Sequence, residues 1–165
     1  MKQILLFLGL LCFGLAHSTV DMNTGENCKQ LDQRVKRMIY EVAVPNDAAS
    51  QFERYEGKQA RIFKALEDLG VEAIPFIVKY MDDRRPLPFD HIALKNNVIN
   101  MRESVRQYSP ILVVDALAAI LNQLTGVSFE FIYSGAVDSI RDSAVRSWQA
   151  YLADKFYLKY PNACI

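Results

Sequence analysis

The sequence predicts an all-α fold, because three separate segments carry the apolar spacing of helices. From Cys28 to Val42, apolar residues recur every three or four positions, and charged residues fill the places between them. The run PILVVDALAAILNQL, residues 110–124, is apolar on nearly every side, which is typical of a central helix. The three-and-four spacing returns between Ile140 and Phe156. Helices that bury their apolar faces on one another therefore form the predicted core.

Proline and glycine suggest where these helices begin and end. Pro45 ends the first helix. A second helix is expected over residues 60–69, with a separate short helix before Gly57, because glycine weakens a helix interior. For the central helix, Ser109 is the predicted N-terminal cap and Gly126 the predicted end.

The stretch LEDLGVEAIPFIVKYMDD places a glycine between two segments of helical sequence. Gly70 can adopt the positive φ that closes a helix after Leu69. The next helix, over residues 71–81, would carry Pro75 in its first turn, where a missing amide hydrogen costs no hydrogen bond. We therefore expect a tight hairpin of two helices that pack on each other.

Two segments lack the helical pattern. Residues 82–108 contain two prolines and paired asparagines, and they predict one long irregular loop. The apolar side chains of Phe89, Ile92 and Leu94 would pin this loop to the core. In residues 127–135, VSFEFIYSG, aromatic and polar residues alternate, which predicts a short extended aromatic segment.

The N-terminus has the pattern of a secretory signal peptide. Lys2 precedes the apolar run ILLFLGLLCFGLA, and small residues occupy the first and third places of Ala16, His17 and Ser18. We expect a signal peptide over residues 1–18 and a single helical domain over 19–165. The run is shorter than the ~20 residues that a membrane anchor needs. The predicted location is secreted or periplasmic, without membrane insertion after cleavage.

Cysteine usage predicts one disulfide. Of three cysteines, Cys12 would leave with the signal peptide, and Cys28 and Cys164 would remain near the two ends of the domain. An oxidising compartment favours a bridge between them, and two separate thiols are the alternative.

Charge and motif content exclude several function classes. Nineteen basic and nineteen acidic residues balance to zero net charge, so nothing favours nucleic acid or an anionic membrane as partner. Glycine-rich phosphate loops are missing from the sequence, and the cysteines and histidines are too few for structural zinc. We therefore predict neither a cofactor nor a metal.

A catalytic set is equally hard to assemble. After cleavage His91 is the one remaining histidine, and the G-x-S-x-G turn of serine hydrolases does not occur. The prediction is that the protein is not an enzyme. The alternative is an envelope hydrolase built around Asp90, His91 or Glu103.

Two stretches resemble known helical proteins. ALEDLGVEAIPFIVKYMDD resembles a HEAT-type repeat through Leu66, Leu69, Gly70, Ala73, Ile74, Pro75, Ile77 and Asp82. DALAAILNQLTGVSFEFIYSGAVDSIRDSAVRSWQAYL is similar to a late segment of exported bacterial helical-repeat proteins of uncharacterised function. These resemblances imply HEAT-like helical hairpins and export, and they add little chemistry.

The predicted function is an exported protein-binding module, either a scaffold or an inhibitor of the immunity type, with a protein partner. Long loops often carry binding residues, and arginine and aromatic side chains are favoured at interfaces. The candidate partner-binding rim consists of Asp82, Asp83, Arg84, Arg85, Phe89, His91 and Arg102. An alternative for the DDRR cluster is a solvated helix end whose charges are partly paired.

Overall fold

The computed structural model describes residues 23–43, 52–95 and 105–164, and the predicted signal peptide lies outside them. The described helices are α1 (Asn23–Val42), α2 (Phe52–Asp68), α3 (Ile74–Lys79), α4 (Val113–Thr125), α5 (Asp138–Tyr151) and α6 (Tyr157–Lys159). Short 3-10 turns occur at Gly70–Ala73 and Ile132–Ser134, and a π turn joins α5 to α6. A small sheet holds β1 (Ile92–Lys95) and β2 (Val105–Tyr108). The mainly helical class is thereby confirmed.

None of the helices in the described residues has the length and apolar character that crossing a membrane requires.

Helix α4 forms the centre of the core, as its apolar sequence predicts. It packs against α2, α3, α5 and β1, and every residue from Val113 to Leu121 is buried. The predicted start at Pro110 with a Ser109 cap is wrong. The helix begins at Val113 because the side chain of Asp115 accepts the N–H of Leu112 at 3.0 Å.

The segment between α3 and β1 also helps to start α4. The N–H of Val113 donates to the carbonyl of Arg85 at 3.0 Å, and the N–H of Val114 donates to the carbonyl of Asp83 at 3.0 Å. The first amides of a helix have no partner inside it, so a buried helix start needs such acceptors. At the other end Gly126 adopts φ 72°, which confirms the predicted helix end.

A buried ion pair joins α4 to α5. The guanidinium of Arg141 donates from Nε to Asp115 Oδ1 at 2.8 Å and from Nη2 to Oδ2 at 2.9 Å. Asp115 is fully buried and Arg141 nearly so. Two parallel charge-assisted bonds fix the orientation of both side chains as well as their distance.

The region around Gly70 differs from the predicted hairpin. Gly70 has φ 68°, as expected, and Pro75 lies in the first turn of α3. However, α3 is only six residues long and packs on α1, α4 and α5 rather than chiefly on α2. The predicted break at Gly57 is also wrong, since α2 runs through it from Phe52 to Asp68.

The predicted irregular loop over 82–108 contains an antiparallel hairpin. Ile92 pairs with Tyr108, and the register continues to Lys95 paired with Val105. Ile92 and Leu94 are buried, which confirms that they pin this segment to the core. Their neighbours Ala93 and Lys95 are exposed, so the strand has the alternation of a half-buried sheet.

The segment after α4 does not form the predicted extended structure. Its backbone turns, with Glu130 at φ 59° and Phe131 at φ 47°, and then enters the 3-10 turn at Ile132. Ile132 is fully buried, and the ring of Phe129 packs edge-on against Trp148 at 5.0 Å between centroids. A second helix of a repeat is therefore missing after α4, and a stack of HEAT-like hairpins is not shown.

A disulfide joins the first helix to the C-terminal tail. Cys28 and Cys164 are bonded, with their Cα atoms 5.5 Å apart and 136 positions between them in sequence. The predicted pairing is present in the structure, and it closes most of the described chain into one loop.

Removing the buried carboxylate should destabilise the protein strongly. We expect Asp115→Ala to lower the free energy of unfolding by about 3–5 kcal/mol, because Arg141 would remain buried without its partner. Asp138, which is 81% exposed, also contacts Arg141 at 3.3 Å, so Asp138→Ala is a matched control with an expected loss of about 0–1 kcal/mol. Urea denaturation measures both, and equal losses would contradict a special role for the buried pair.

Loss of the disulfide should also be measurable. The loop-entropy relation gives roughly 5 kcal/mol for a closure of this length. We expect Cys28→Ser with Cys164→Ser to unfold at lower urea concentration than the oxidised protein. Intact mass after alkylation without reductant provides the check on the bond, because a fully alkylated pair would show that no bridge exists.

Candidate functional site

The DDRR cluster of the predicted rim is engaged within the chain. Arg84 donates to Asp82 Oδ1 from Nε at 2.6 Å and to Asp142 Oδ1 from Nη2 at 2.7 Å. Arg84 thus connects the segment after α3 to helix α5. These contacts agree with the alternative interpretation, in which the charges of the cluster are partly paired.

Arg85 closes the end of helix α1. Its Nη2 donates to Asp83 Oδ2 at 2.6 Å and to the carbonyl of Ile39 at 3.1 Å, and its Nη1 donates to the carbonyl of Tyr40 at 3.2 Å. A cation beside the last carbonyls of a helix satisfies acceptors that have no partner inside it. Arg85 therefore has a structural role independent of any partner.

The other three residues of the predicted rim, Phe89, His91 and Arg102, are not part of the DDRR cluster. The side chain of Gln59 on α2 donates to the carbonyl of Phe89 at 2.9 Å and accepts the N–H of Phe89 at 3.3 Å. His91 and Asp90 are exposed, and no hydrogen bond joins their side chains in the described part of the chain. Arg102 and the hydrolase candidate Glu103 lie outside the described residues.

A different surface, which we call the β2 cleft, lies beside the hairpin. It has a volume of about 460 Å³ and is lined by Arg106, Gln107, Tyr108, Asn122, Ser128, Phe131 and Tyr133. Side chains alternate between the two faces of a strand, so three consecutive lining residues indicate that the cleft follows the edge of β2. In the described residues that edge has no strand partner, since β1 pairs on the other side.

Phe131 forms an exposed wall of the β2 cleft. Its side chain is 77% exposed, and both Phe131 and Glu130 hold a positive φ that side-chain-bearing residues rarely adopt. Ser143 on α5 donates to Glu130 Oε1 at 2.9 Å and helps to hold this turn. The fold thus maintains a costly backbone conformation that presents a large aromatic ring to solvent.

The inner wall of the cleft is aromatic and neutral. The ring of Tyr133 meets Phe131 edge-on at 6.3 Å and Tyr108 edge-on at 5.5 Å. Burial raises the pKa of Tyr133, and the nearby Tyr108 adds to that rise, so the phenol stays protonated at neutral pH. Its hydroxyl forms a hydrogen bond with Ser128. Among the described residues that line the cleft, Arg106 is the single charged one.

The sequence contains only part of the signal for this cleft. Three aromatic residues in SFEFIY mark the segment, and the alternation there favours a strand by periodicity alone. Nothing in the residue types indicates positive φ at Glu130 or Phe131, because such values favour glycine. Arg106 and Tyr108 fall inside the predicted irregular loop, so the strand that carries them is missed.

Glu67 helps to hold the hairpin in place. Its Oε2 accepts the N–H of Lys95 on β1 at 3.1 Å, while Oε1 is buried without a partner among the described residues. Burial raises the pKa of Glu67 from its ordinary 4.5, although the hydrogen bond from Lys95 opposes that rise. The contribution of this contact to stability therefore depends on pH.

No group of three or more His, Cys, Asp or Glu residues that could hold a metal ion occurs in the described ranges.

Comparison of the chain with protein-family models, with curated proteins and with solved structures finds no match in any of the three. The geometry of the surface therefore provides the basis for a functional proposal.

The raised pKa of Glu67 predicts a specific pH dependence. The folded state holds the proton more tightly than the unfolded state, so this group stabilises the fold below pH 4.5 and the contribution is lost as pH rises through the folded pKa. Glu67→Gln keeps an acceptor for Lys95 without a charge. We expect the variant to gain stability relative to wild type between about pH 4 and pH 7 in urea denaturation.

The control for this experiment is Asp68→Asn, a neighbouring acid that is exposed and pairs with Lys64 at 2.8 Å. It should show no gain over the same range. An identical difference between Glu67→Gln and wild type at both ends of that range would contradict the assignment of a raised pKa to Glu67.

Proposed function

We propose that the chain is an exported protein-binding module that holds an extended segment of a partner protein in the β2 cleft. The observation that carries the proposal is Phe131, a large apolar ring held 77% exposed on a backbone turn of unfavourable φ. Strained conformations persist where the surrounding structure enforces them, and they concentrate at binding sites. A buried position for this ring in a complex would account for its placement.

The edge of β2 supports an extended occupant. A strand edge without a partner presents backbone N–H and C=O groups to which another chain can add by hydrogen bonding. Arg106, Gln107 and Tyr108 all line the cleft, so an added strand would lie along it beside Phe131. The short length of β2, four residues, suits a single short segment rather than uncontrolled edge pairing.

The side chains of the cleft match the composition of protein interfaces. Tyrosine, phenylalanine and arginine are enriched at binding hot spots. An apolar side chain of the partner would pack against the exposed ring of Phe131 and the neighbouring Tyr133, and a carboxylate or carbonyl would meet Arg106. This arrangement supports recognition of a peptide segment and contains no described group with an evident catalytic role.

Export is the second part of the proposal. It is supported by the signal-peptide pattern over residues 1–18 and by the disulfide between Cys28 and Cys164, since such bonds persist in oxidising compartments. We therefore propose a secreted or periplasmic location and a role as scaffold or as inhibitor of the immunity type. The HEAT-like assignment is supported by the glycine turn at Gly70 and by the proline at the start of α3.

No observation in the described residues supports the alternative of an envelope hydrolase. Asp90 and His91 are exposed on the segment before β1 and are not among the residues that line the cleft, and no hydrogen bond orients either side chain in the described part of the chain. Hydrolysis by a side-chain nucleophile needs a base within hydrogen-bond reach of that nucleophile. We therefore propose neither a catalytic residue nor a cofactor.

Site-specific photocrosslinking tests the proposal directly. Benzoylphenylalanine would replace Phe131 in one variant and Leu158 in a control, because Leu158 is another exposed apolar residue, at 84%. We expect a protein adduct in the cell envelope at position 131 and none at 158. For the protein so identified, Phe131→Ala should weaken binding by tenfold or more, about 1.4 kcal/mol, and Leu158→Ala should not change it.

Hydrogen exchange then reports on the binding mode. Strand addition should slow amide exchange over residues 105–108 when the partner is bound. Adducts of equal yield at positions 131 and 158, or equal affinity of the two alanine variants, would refute the β2 cleft as the binding surface.

A further inference from the structure

A second surface, which we call the basic groove, runs between α1 and α2. It has a volume of about 430 Å³ and is lined by Arg34, Arg37, Met38, Glu41, Lys58, Arg61, Ile62 and Ala65. Four basic side chains against one acidic side chain give the lining a charge of +3. The whole chain has no net charge, so the groove is a local concentration of positive charge.

The arginines of the groove are not neutralised by acids of the described fold. Arg34, Arg37 and Arg61 form no ion pair in the part of the chain that the structure describes. By contrast, the nearby Lys64 pairs with Asp68 at 2.8 Å. Arg34 and Arg37 are three positions apart on one helix, a spacing at which like charges repel and destabilise the helix. The fold therefore keeps a small electrostatic cost that an anionic ligand would relieve.

The floor of the groove is apolar. Met38, Ile62 and Ala65 are half-buried, whereas the three arginines of the lining are exposed, so the apolar surfaces are less accessible than the charged ones yet still reach solvent. A methionine side chain adapts its shape to different apolar partners. A ligand that fits must therefore carry negative charge together with an apolar group that can enter the groove.

This combination selects one class of ligand. The flat surface of an anionic bilayer would meet the exposed arginines without reaching the less accessible floor. Single-stranded nucleic acid binds by stacking bases on aromatic side chains, and the described lining contains no aromatic residue. An acidic protein segment with a large apolar side chain satisfies both the charge and the floor.

We infer that the basic groove docks an acidic, partly apolar segment of a protein partner. Arg34 to Glu41 spans eight residues of α1, or about 10 Å of helix, which matches two turns of a docked helix. The apolar side chain of the segment contacts Met38 and Ile62, and its carboxylates contact the surrounding arginines. The groove and the β2 cleft share no residue, so either surface can fail without the other.

A peptide-display selection tests the inference while the partner is still unidentified. The purified protein selects from a random library of twelve-residue peptides. We expect enrichment of peptides that combine several Asp or Glu residues with Leu, Ile, Phe or Met. Binding of these peptides should weaken about tenfold or more in Arg34→Glu with Arg61→Glu, and it should fall as salt rises.

The matched control is Arg146→Glu with Lys155→Glu, which changes the charge equally at two exposed positions outside the groove. It should retain wild-type binding, and so should Phe131→Ala. Selection without acidic enrichment, or equal loss in both charge variants, would overturn the inference. Tighter binding of phosphatidylglycerol vesicles or single-stranded DNA than of the selected peptides, lost in the doubly substituted groove variant, would overturn the choice of ligand.

Discussion

The carboxylate of Asp115 is fully buried and performs two tasks at once. It accepts backbone N–H groups at the start of α4, and it compensates the charge of Arg141 from α5. Because α4 is buried on all sides, its first turn has little access to water and must find partners in the fold. The position of α5, and of the segment that carries Arg85 beside α4, follows from this requirement.

The contacts of this core also position the elements that border the β2 cleft. The turn with Phe131 lies between α4 and α5, the two helices joined by the buried pair, and Ser143 of α5 supports it through Glu130. The hairpin is held separately by α2, since Glu67 and Gln59 bind backbone groups of its first strand and of the segment before it. The β2 cleft is thus bounded by elements with independent anchors.

Apolar spacing and special residues predict much of the fold from sequence. Helical class, the central place of α4 and the positive φ of Gly70 follow from short-range signals, and the cysteine pair follows from the number of cysteines. The hairpin is missed because its strands are only four residues long and separated by sequence without a period. The start of α4 is misplaced because its cap depends on Asp115, whose side chain is held by an arginine distant in sequence. The contacts of the candidate rim are missed for the same reason, because they also involve residues distant in sequence. Nothing in the adjacent acids and bases of the DDRR cluster indicates that they contact α1 and α5.

The bond between Cys28 and Cys164 affects how the protein responds to proteolytic cleavage. Any single cleavage between these two positions opens the backbone but releases no fragment, because both pieces stay covalently attached. The protein would then tolerate damage that separates the halves of an unbridged domain.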